Sequence, residues 1–186
     1  MEKAKTALLV MDMQSSILSR LADATKLISN TQEAIKTARK RQIPVIYITV
    51  GFRQGMPEIS KNNKAFSAIK QHMIHVNMKE WVSIHPDLLP DEQDIIITKK
   101  RFSAFTGSDL EIVLRGLNIE HLVLTGISTS GVVLSTLREA ADKDYILTVI
   151  EDCCKDEDEE VHRVLMSKIF PRQADVITLS NWTEGI

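Results

Sequence analysis

Six short runs of the sequence are almost continuous in valine, isoleucine and leucine, and this feature restricts the possible folds most. The runs are Ala7–Asp12, Pro44–Val50, Asp94–Lys99, His121–Gly126, Tyr145–Asp152 and Ala174–Leu179. A strand with one face in water alternates apolar and polar residues, whereas a strand buried on both faces does not. We therefore predict six strands of a mostly parallel sheet, with helices covering both of its faces.

The segments between these runs carry helical patterns. Apolar residues repeat at helical spacing in segments 30–42, 108–118, 129–144 and 156–170. Ser108 and Glu111 have the spacing of a capping box, and Gly116 and Asn118 suit the end of the same helix. Strands that alternate with helices predict the α/β class, as a three-layer αβα, doubly wound, Rossmann-like fold. The length of 186 residues fits one domain over residues 1–186.

Segment 51–93 interrupts this alternation. It contains turn-forming glycine, proline and asparagine, and it shows no sustained period. A long irregular excursion after a strand is more often a binding loop or lid than a linker. We expect substrate contacts here from Phe52, Arg53 and Glu58. Arg53 suits a carboxylate, and an ordinary surface arginine is the alternative.

Composition excludes several classes of partner. The hydrophobic fraction is 44%, the charged fraction is 26% and the formal net charge is −2, so neither nucleic acid nor an anionic membrane is an expected partner. The first apolar run is short and ends at Asp12, which predicts neither a signal peptide nor a membrane span. The two cysteines, Cys153 and Cys154, are adjacent, and neighbouring cysteines rarely bridge each other. We expect a cytoplasmic protein whose partner is a small molecule.

Polar residues follow three of the predicted strands. Asp12 ends the first strand, a basic triplet beginning at Lys99 ends the third, and segment 126–132 follows the fourth. Ligands of open parallel sheets bind at the carboxyl ends of strands, so these groups are candidates for one polar site. Each also has a structural explanation: Asp12 as a cap, the basic triplet as surface charge, and Thr129 with Ser130 as a helix cap.

Three motifs in order resemble the isochorismatase-like hydrolases, also called the cysteine hydrolase superfamily. The first is an Asp-x-Gln after the first strand, matched by Asp12 and Gln14. The second is a lysine four residues before Ser-Ala-Phe, matched by Lys99 and the segment 103–105 that ends in Phe105.

The third motif of that family is a Gly-x-x-Thr-x-x-Cys turn with a threonine four residues after the cysteine. Gly126, Thr129 and Thr136 match it, but Val132 stands at the position of the nucleophilic cysteine. The resemblance implies catalytic roles for Asp12 and Lys99, whereas the family's thiol chemistry cannot be carried over.

The resemblance also implies a particular turn after the fourth strand. A non-proline cis peptide is expected between Ile127 and Ser128, and backbone N–H groups of the turn are expected to receive an oxyanion. The residues expected to bind substrate or to shape the turn are Gln14, Arg53, Phe105, Ile127, Ser128, Thr129 and Gly131.

Without the thiol, three hypotheses remain. In the first, Asp12 acts as a general acid and water attacks the substrate directly, as in true isochorismatases, although a branched Val132 occupies space that a glycine would leave. In the second, a hydroxyl of segment 128–130 replaces the thiol, although an unactivated hydroxyl is a poor nucleophile. In the third, the protein is a catalytically silent small-molecule-binding or scaffold protein.

A cysteine nucleophile elsewhere in the chain and a metal site are both less favoured. The acidic neighbours of Cys153 and Cys154 would raise a thiol pKa, so neither is an expected nucleophile. The Asp-x-His pair of metal-containing family members has no counterpart after the second strand, and His72 with His75 is typical of a surface helix face. We therefore predict no metal and no cofactor. Family resemblance further implies a homo-oligomer.

Overall fold

The six predicted strands form one sheet in a computed structural model that describes residues 5–73 and 75–185. The strands are β1 (Thr6–Met11), β2 (Val45–Val50), β3 (Ile95–Lys99), β4 (His121–Ile127), β5 (Ile146–Lys155) and β6 (Asp175–Ile177). Their order is β3-β2-β1-β4-β5-β6, and every pairing is parallel. The prediction of an α/β fold with a six-stranded sheet is therefore confirmed.

Helices cover both faces of this sheet. They are α1 (Ser15–Leu18), α2 (Thr25–Lys40), α3 (Lys64–Met73), α4 (Met78–Trp81), α5 (Leu110–Gly116), α6 (Leu134–Asp142), α7 (Glu159–Val164) and α8 (Leu179–Glu184). Short 3₁₀ turns span Pro86–Leu88 and Phe170–Arg172, and π-helical turns span Thr129–Val133 and Leu165–Ile169. Within the described part of the chain, no helix combines the length and apolar character that crossing a membrane requires.

Successive residues of each strand point to opposite faces, so the sheet has two separate cores. Leu9 of β1 packs in one core with helices α5 and α6, as part of a cluster that includes Leu114 and Leu137. Leu8 packs in the other core with α2 and α8, in a cluster that includes Ile35 and Trp182. Burial on both faces explains why the strands lack alternating polar residues.

Segment 51–93 is more ordered than its composition predicts. It contains helices α3 and α4, and a third apolar cluster forms around Phe52, Phe66, Met73 and Trp81. Within α3, Phe66, Ile69 and Met73 are spaced i, i+3 and i+7, which is an amphipathic pattern. The segment therefore packs as a small cap with its own core.

The start of α5 differs from the predicted capping box. Ser108 Oγ accepts weakly from the N–H of Leu110 at 3.3 Å and donates to the carbonyl of Ala104 at 2.6 Å. Glu111 pairs instead with Lys143, at 2.6 Å. The box does not form, because α5 begins at Leu110 with Asp109 and not Ser108 at its N-cap. The predicted end is confirmed, because Asn118 adopts the left-handed φ of 54°.

Candidate functional site

The carboxyl ends of β1, β3 and β4 bring the candidate residues together. Asp12 follows the last residue of β1 with a φ of 57°, and Lys99 is the last residue of β3. Val132 lies in the π-helical turn that follows β4. Because these strands are parallel, their ends meet at one edge of the sheet, and all three residues line one cavity there.

Asp12 and Lys99 form a buried ion pair. Lys99 Nζ lies 2.9 Å from Asp12 Oδ2, and the two residues are 1% and 6% exposed, respectively. Lys99 Nζ also donates to the carbonyl oxygen of Arg101 at 2.9 Å. An ammonium group has three donors, so one N–H of Lys99 remains for a bound molecule.

The second oxygen of the Asp12 carboxyl finds no hydrogen-bond partner among the described residues. Oδ1 is buried, and nothing within residues 5–73 and 75–185 donates to it or accepts from it. A buried polar atom without a partner destabilises the folded protein. This oxygen belongs to a cavity-lining residue, so a substrate or water can supply the missing bond.

Burial raises the pKa of the Asp12 carboxyl above its ordinary value. The loss of solvation is the largest effect, and the charge of Lys99 and its hydrogen bond oppose it. A carboxyl with a raised pKa holds a proton at higher pH than an exposed aspartate does. Asp12 can therefore donate a proton to a bound substrate and be restabilised by Lys99 after donation.

The turn after β4 has the expected conformation. The Ile127–Ser128 peptide bond is cis, as the resemblance predicts. A Cβ at Gly126 would lie 2.5 Å from the carbonyl oxygen of Met11, and a Cβ at Gly131 would lie 2.6 Å from Ser128 Oγ. Glycine at these positions lets the turn approach β1 and fold on itself.

Side chains from the β5–α7 region hold the same turn from outside. The Asp156 carboxylate accepts from the N–H of Ser130 at 2.7 Å, and Thr129 Oγ1 lies 2.8 Å from His162 Nδ1. Burial lowers the pKa of His162, while Asp156 opposes this shift. His162 therefore serves as a neutral partner for Thr129 near pH 7.

The cavity has a volume of about 180 Å³ and mostly apolar walls. Its lining residues come from the sheet edge, the cap and the rim: Asp12, Ile17, Arg20, Val50, Phe66, Ile69, Trp81, Lys99, Phe102, Ile127, Ser128, Gly131, Val132 and Glu157. Arg20 lies against the face of Trp81, with its guanidinium carbon 5.4 Å from the ring centroid. Arg20 and Glu157 are exposed, which places them at the mouth.

A larger, open groove of about 660 Å³ lies at the other end of β2 and β3. Its one arginine is already paired, since Arg39 lies 3.1 Å from Asp91 and also pairs with Asp94. The cavity at the carboxyl ends of the strands is lined by Asp12, whose Oδ1 has no partner among the described residues. We therefore assign the catalytic site to this smaller cavity.

Some of the expected substrate contacts do not reach this cavity. Gln14 is fully buried and links the end of β2 to the cap: its Oε1 accepts from the N–H of Val50 at 2.6 Å, and its Nε2 donates to the Trp81 carbonyl at 2.6 Å. Arg53 is 75% exposed at its side chain and pairs with Glu58 at 2.8 Å. Neither residue lines the cavity.

Phe105 and Thr129 also face elsewhere. The Phe105 ring packs in the core beside Tyr145, with ring centroids 6.0 Å apart. Thr129 is buried against His162. Of the residues expected to bind substrate or to shape the turn, Ile127, Ser128 and Gly131 do line the cavity.

Sequence reasoning missed most of the apolar wall. Phe66, Ile69 and Trp81 come from segment 51–93, and Phe102 comes from the loop after β3. The i, i+3, i+7 spacing in α3 was a usable signal for Phe66 and Ile69. For Trp81 and Phe102, neither spacing nor composition marks the cavity, because their positions depend on how the cap packs.

The cysteines lie within β5 and not at its end, which extends the predicted strand to Lys155. Cys153 is 0% exposed and Cys154 is 6% exposed. Burial, more than the acidic neighbours, raises the pKa of Cys154 to about 12 and that of Cys153 further. Neither thiol lines the cavity. Across the described residues, no three His, Cys, Asp or Glu side chains are grouped as metal ligands would be.

Comparisons with known proteins agree with this geometry. The family model described as the isochorismatase domain matches residues 6–181. The uncharacterized isochorismatase family protein YwoC of Bacillus subtilis is 27% identical over 183 residues, which cover 98% of this chain and 94% of that protein. The ureidoacrylate amidohydrolase RutB of Yersinia enterocolitica is 31% identical over 169 residues, covering 79% of this chain and 74% of that protein.

A solved structure is similar over nearly the whole chain. An isochorismatase family protein from Burkholderia thailandensis superposes with a TM-score of 0.84 at 27% identity, covering 97% of this chain and 96% of the other. The match of the domain model to most of the chain, together with these relatives and the parallel six-stranded fold, shows that this chain belongs to the isochorismatase family of hydrolases.

Proposed function

We propose that this protein hydrolyses a small metabolite by direct attack of water, with Asp12 as the acid and base and Lys99 as its electrostatic partner. The observation that carries this proposal is the buried Asp12 Oδ1, which lacks a partner among the described residues and belongs to a carboxyl lining the cavity. Burial raises the pKa of this carboxyl, which is the direction of shift found in carboxyl groups that act as general acids.

The proposed reaction adds one water across the bond that breaks. Asp12 gives its proton to the substrate, and the resulting carboxylate is stabilised by Lys99 at 2.9 Å. Water supplies its hydroxyl to the electrophilic carbon, and the remaining water proton returns to Asp12. For an enol ether, the proton goes to the vinyl carbon and gives an oxocarbenium ion, to which water adds to form a hemiketal. The hemiketal then loses its hydroxyl proton as the ether C–O bond breaks and the ether oxygen leaves as an alcohol with a proton, so the products are a ketone and an alcohol and no enzyme nucleophile is needed.

The residues around Val132 support this mechanism over a covalent one. Val132 stands where the family motif places a cysteine, yet its side chain lies in the wall of a cavity that keeps about 180 Å³. Ser128 also lines the cavity, but no described residue forms a hydrogen bond with its hydroxyl that would activate it. Thr129 has His162 as a partner but does not line the cavity. Ser128 therefore has access to the cavity but no base to activate its hydroxyl, whereas Thr129 has a possible base but no access to the cavity.

The relatives suggest which bonds to test. RutB is named for amide hydrolysis, and the family model is named for isochorismatase, which cleaves an enol ether. A panel of small enol ethers, including isochorismate, and simple amides therefore covers both bond types.

The test compares the wild type with Asp12→Asn across this panel. General acid–base catalysis contributes about 10²- to 10⁴-fold, so the variant should lose at least 100-fold of any activity. Asp23→Asn is the matched control, because Asp23 is exposed, does not line the cavity, and its carboxylate accepts from the N–H of the neighbouring Thr25. Equal rates above background for the wild type and Asp12→Asn would refute the proposal. Ligand binding without turnover of any compound would favour the catalytically silent alternative.

A homo-oligomer is part of the same proposal. Strand β3 is an edge strand, and Ile96 within it is 57% exposed. An apolar edge strand is commonly covered by a partner. Light scattering at several protein concentrations tests this expectation, and a constant monomer mass would contradict it.

A further inference from the structure

We propose that Arg101 is a positioning residue: its side chain holds the cap against the loop after β3, and its backbone carbonyl holds Lys99 at the cavity. The proposed hydrolysis is the reaction that Arg101 would serve, so this inference rests on the proposed function. The contacts that carry it, however, lie within the protein and can be tested without a substrate.

The side chain of Arg101 binds the cap through two contacts. Its Nη2 donates to the carbonyl oxygen of Glu58 at 2.7 Å, and its guanidinium carbon lies 5.6 Å from the centroid of the Phe66 ring. Phe66 belongs to the buried core of the cap and also lines the cavity. The guanidinium therefore joins a backbone group and a wall residue of the cap to the loop that follows β3.

The backbone of Arg101 binds Lys99. Lys99 Nζ donates to the carbonyl oxygen of Arg101 at 2.9 Å, and Arg101 Nη1 donates to the carbonyl oxygen of Lys100 at 2.6 Å. These two bonds fix the peptide groups on both sides of the Arg101 Cα. Protonation of Asp12 removes the negative charge that Lys99 faces, whereas the bond to the Arg101 carbonyl does not depend on that proton. Arg101 therefore holds the ammonium group in both protonation states of Asp12.

Lys100 attaches the same loop to the cap at a second point. Its Nζ donates to the carbonyl oxygen of Gly51 at 2.8 Å, where segment 51–93 begins. Its N–H donates to the carbonyl oxygen of Thr106 at 3.2 Å, so the loop also closes on itself. The basic triplet is therefore divided: Lys99 lines the cavity, and the next two residues bind the cap.

Arg101 does not itself line the cavity, so it acts through Lys99 and the cap. Without its guanidinium, the cap loses a charged hydrogen bond and a ring contact, and water gains access to the cavity. Burial is the largest cause of the raised pKa of Asp12, so hydration of its carboxyl lowers that pKa. This direction is opposite to the one expected from loss of the Lys99 charge.

Arg41 offers a matched control. Its guanidinium donates to the carbonyl oxygens of Trp182 at 2.7 Å and Thr183 at 2.8 Å, and its guanidinium carbon lies 5.5 Å from the Trp182 ring centroid. Arg41 and both of these partners lie outside the cavity wall. Arg41→Met therefore removes the same kinds of contact as Arg101→Met, namely two bonds to backbone carbonyls and one ring contact.

Two measurements without substrate test Arg101→Met. One is the pKa of Asp12 by ¹³C NMR, which should fall toward 3.8. The other is hydrogen exchange at the N–H groups of Met56 and Ile59, which bond within the cap at 2.9 Å and 3.1 Å. Loss of a charged hydrogen bond should make these amides exchange about 10-fold faster or more.

The control should behave differently in both measurements. In Arg41→Met we expect the Asp12 pKa and the cap amides to keep their wild-type values. The N–H of Trp182, which bonds to the Thr178 carbonyl at 3.1 Å, should exchange faster instead.

A compound that the wild type hydrolyses adds a kinetic readout. Arg101→Met should lower kcat by about 10- to 100-fold, because misplacement of a reacting group by about 1 Å has costs of this order. Arg41→Met should leave kcat unchanged. Arg101→Lys keeps the charge and one donor for the Glu58 carbonyl, so it should show smaller changes in the same directions, and it replaces Arg101→Met if that variant does not fold.

The inference is overturned if the Asp12 pKa or the exchange of the cap amides stays at its wild-type value in the Arg101 variant. It is also overturned if Arg41→Met changes both quantities equally. Absence of turnover by the wild type would count against the proposed function alone, since the pKa and the exchange rates still decide the role of Arg101.

Discussion

Replacing Lys99 by methionine should destabilise the protein in a way that depends on pH. Lys99 lies 2.9 Å from Asp12, and both side chains are buried. Coulomb's law with an effective dielectric constant of ~20 gives about 6 kcal/mol of attraction across that distance. Much of this is offset by desolvation, but removing one partner leaves a buried, uncompensated charge, which typically costs about 3–5 kcal/mol.

The direction of the pH dependence follows from Asp12. Burial already raises its pKa in the folded protein, and the charge and hydrogen bond of Lys99 oppose this shift. Without Lys99 the pKa rises further. A carboxyl with a raised folded pKa stabilises the fold below its unfolded pKa and loses that contribution as pH rises through the folded pKa. The loss caused by Lys99→Met should therefore be larger at pH 8 than at pH 5.

Urea unfolding at pH 5 and pH 8 measures this effect. At pH 8 we expect a loss of about 3–5 kcal/mol, or a fall in Tm of roughly 10 °C for a domain of this size. The double variant Asp12→Asn/Lys99→Met removes the unpaired carboxylate and should recover more than half of the loss.

A neighbouring lysine provides the control. Lys100 donates one hydrogen bond to the carbonyl of Gly51 at 2.8 Å and is only partly buried. Lys100→Met should cost about 1 kcal/mol, with little difference between the two pH values. The reasoning is refuted if Lys99→Met loses no more stability at pH 8 than at pH 5, or if the double variant is no more stable than Lys99→Met.

Three further perturbations test other parts of the structure. Gln14→Leu should cost roughly 1–3 kcal/mol in urea unfolding, because it leaves the buried N–H of Val50 without a partner, although the Trp81 carbonyl still accepts from Ser16 Oγ. A loss below about 0.5 kcal/mol would show that other contacts hold this end of the cap. Gly126→Ala should cost about 3 kcal/mol or more in the same assay, because its Cβ would lie 2.5 Å from the carbonyl oxygen of Met11. Gly116→Ala is the control: its Cβ would have no atom within 4 Å, and the change should be neutral or stabilising by up to ~1 kcal/mol. N-ethylmaleimide should not modify the folded protein within an hour, because both thiols are buried and burial raises the pKa of Cys154 to about 12. Mass spectrometry measures the modification. Rapid modification with loss of activity would indicate that a thiol takes part in catalysis.

The sheet could be predicted from the sequence because its strands are buried on both faces. Runs such as that ending at Val50 show this directly, since burial on both faces leaves no alternation of polar residues. Parallel order then brings Asp12 and Lys99 to the same edge. Local pattern and topology thus placed Asp12 and a basic triplet at one edge, and the family resemblance selected Lys99 from that triplet.

The wall of the cavity was not predictable in the same way. Arg53 was expected to contact substrate, but it is paired with Glu58. Phe105 was expected to bind substrate or to shape the turn, but its ring packs in the core beside Tyr145. Trp81 lies in the wall because Gln14 bonds to its carbonyl oxygen. In a loop, the direction of a side chain depends on tertiary contacts of this kind, and no sequence period encodes them.

The capping box at Ser108 failed for a related reason. The helix begins one residue later than the Ser108–Glu111 spacing predicts, with Asp109 at its N-cap, and Glu111 pairs with Lys143, which is distant in sequence. The cis peptide before Ser128 was predicted only through family resemblance, since local sequence carries no signal for it.

The proposed mechanism depends most directly on the pKa of the Asp12 carboxyl. A ¹³C NMR titration of the aspartate carboxyl carbons, with the Asp12 signal assigned by its loss in Asp12→Asn, measures that pKa without knowledge of the substrate. We expect the pKa of Asp12 to lie above the ordinary value of 3.8 in the wild type and to rise further in Lys99→Met. A wild-type pKa at or below 3.8 would contradict the assignment of Asp12 as the proton donor.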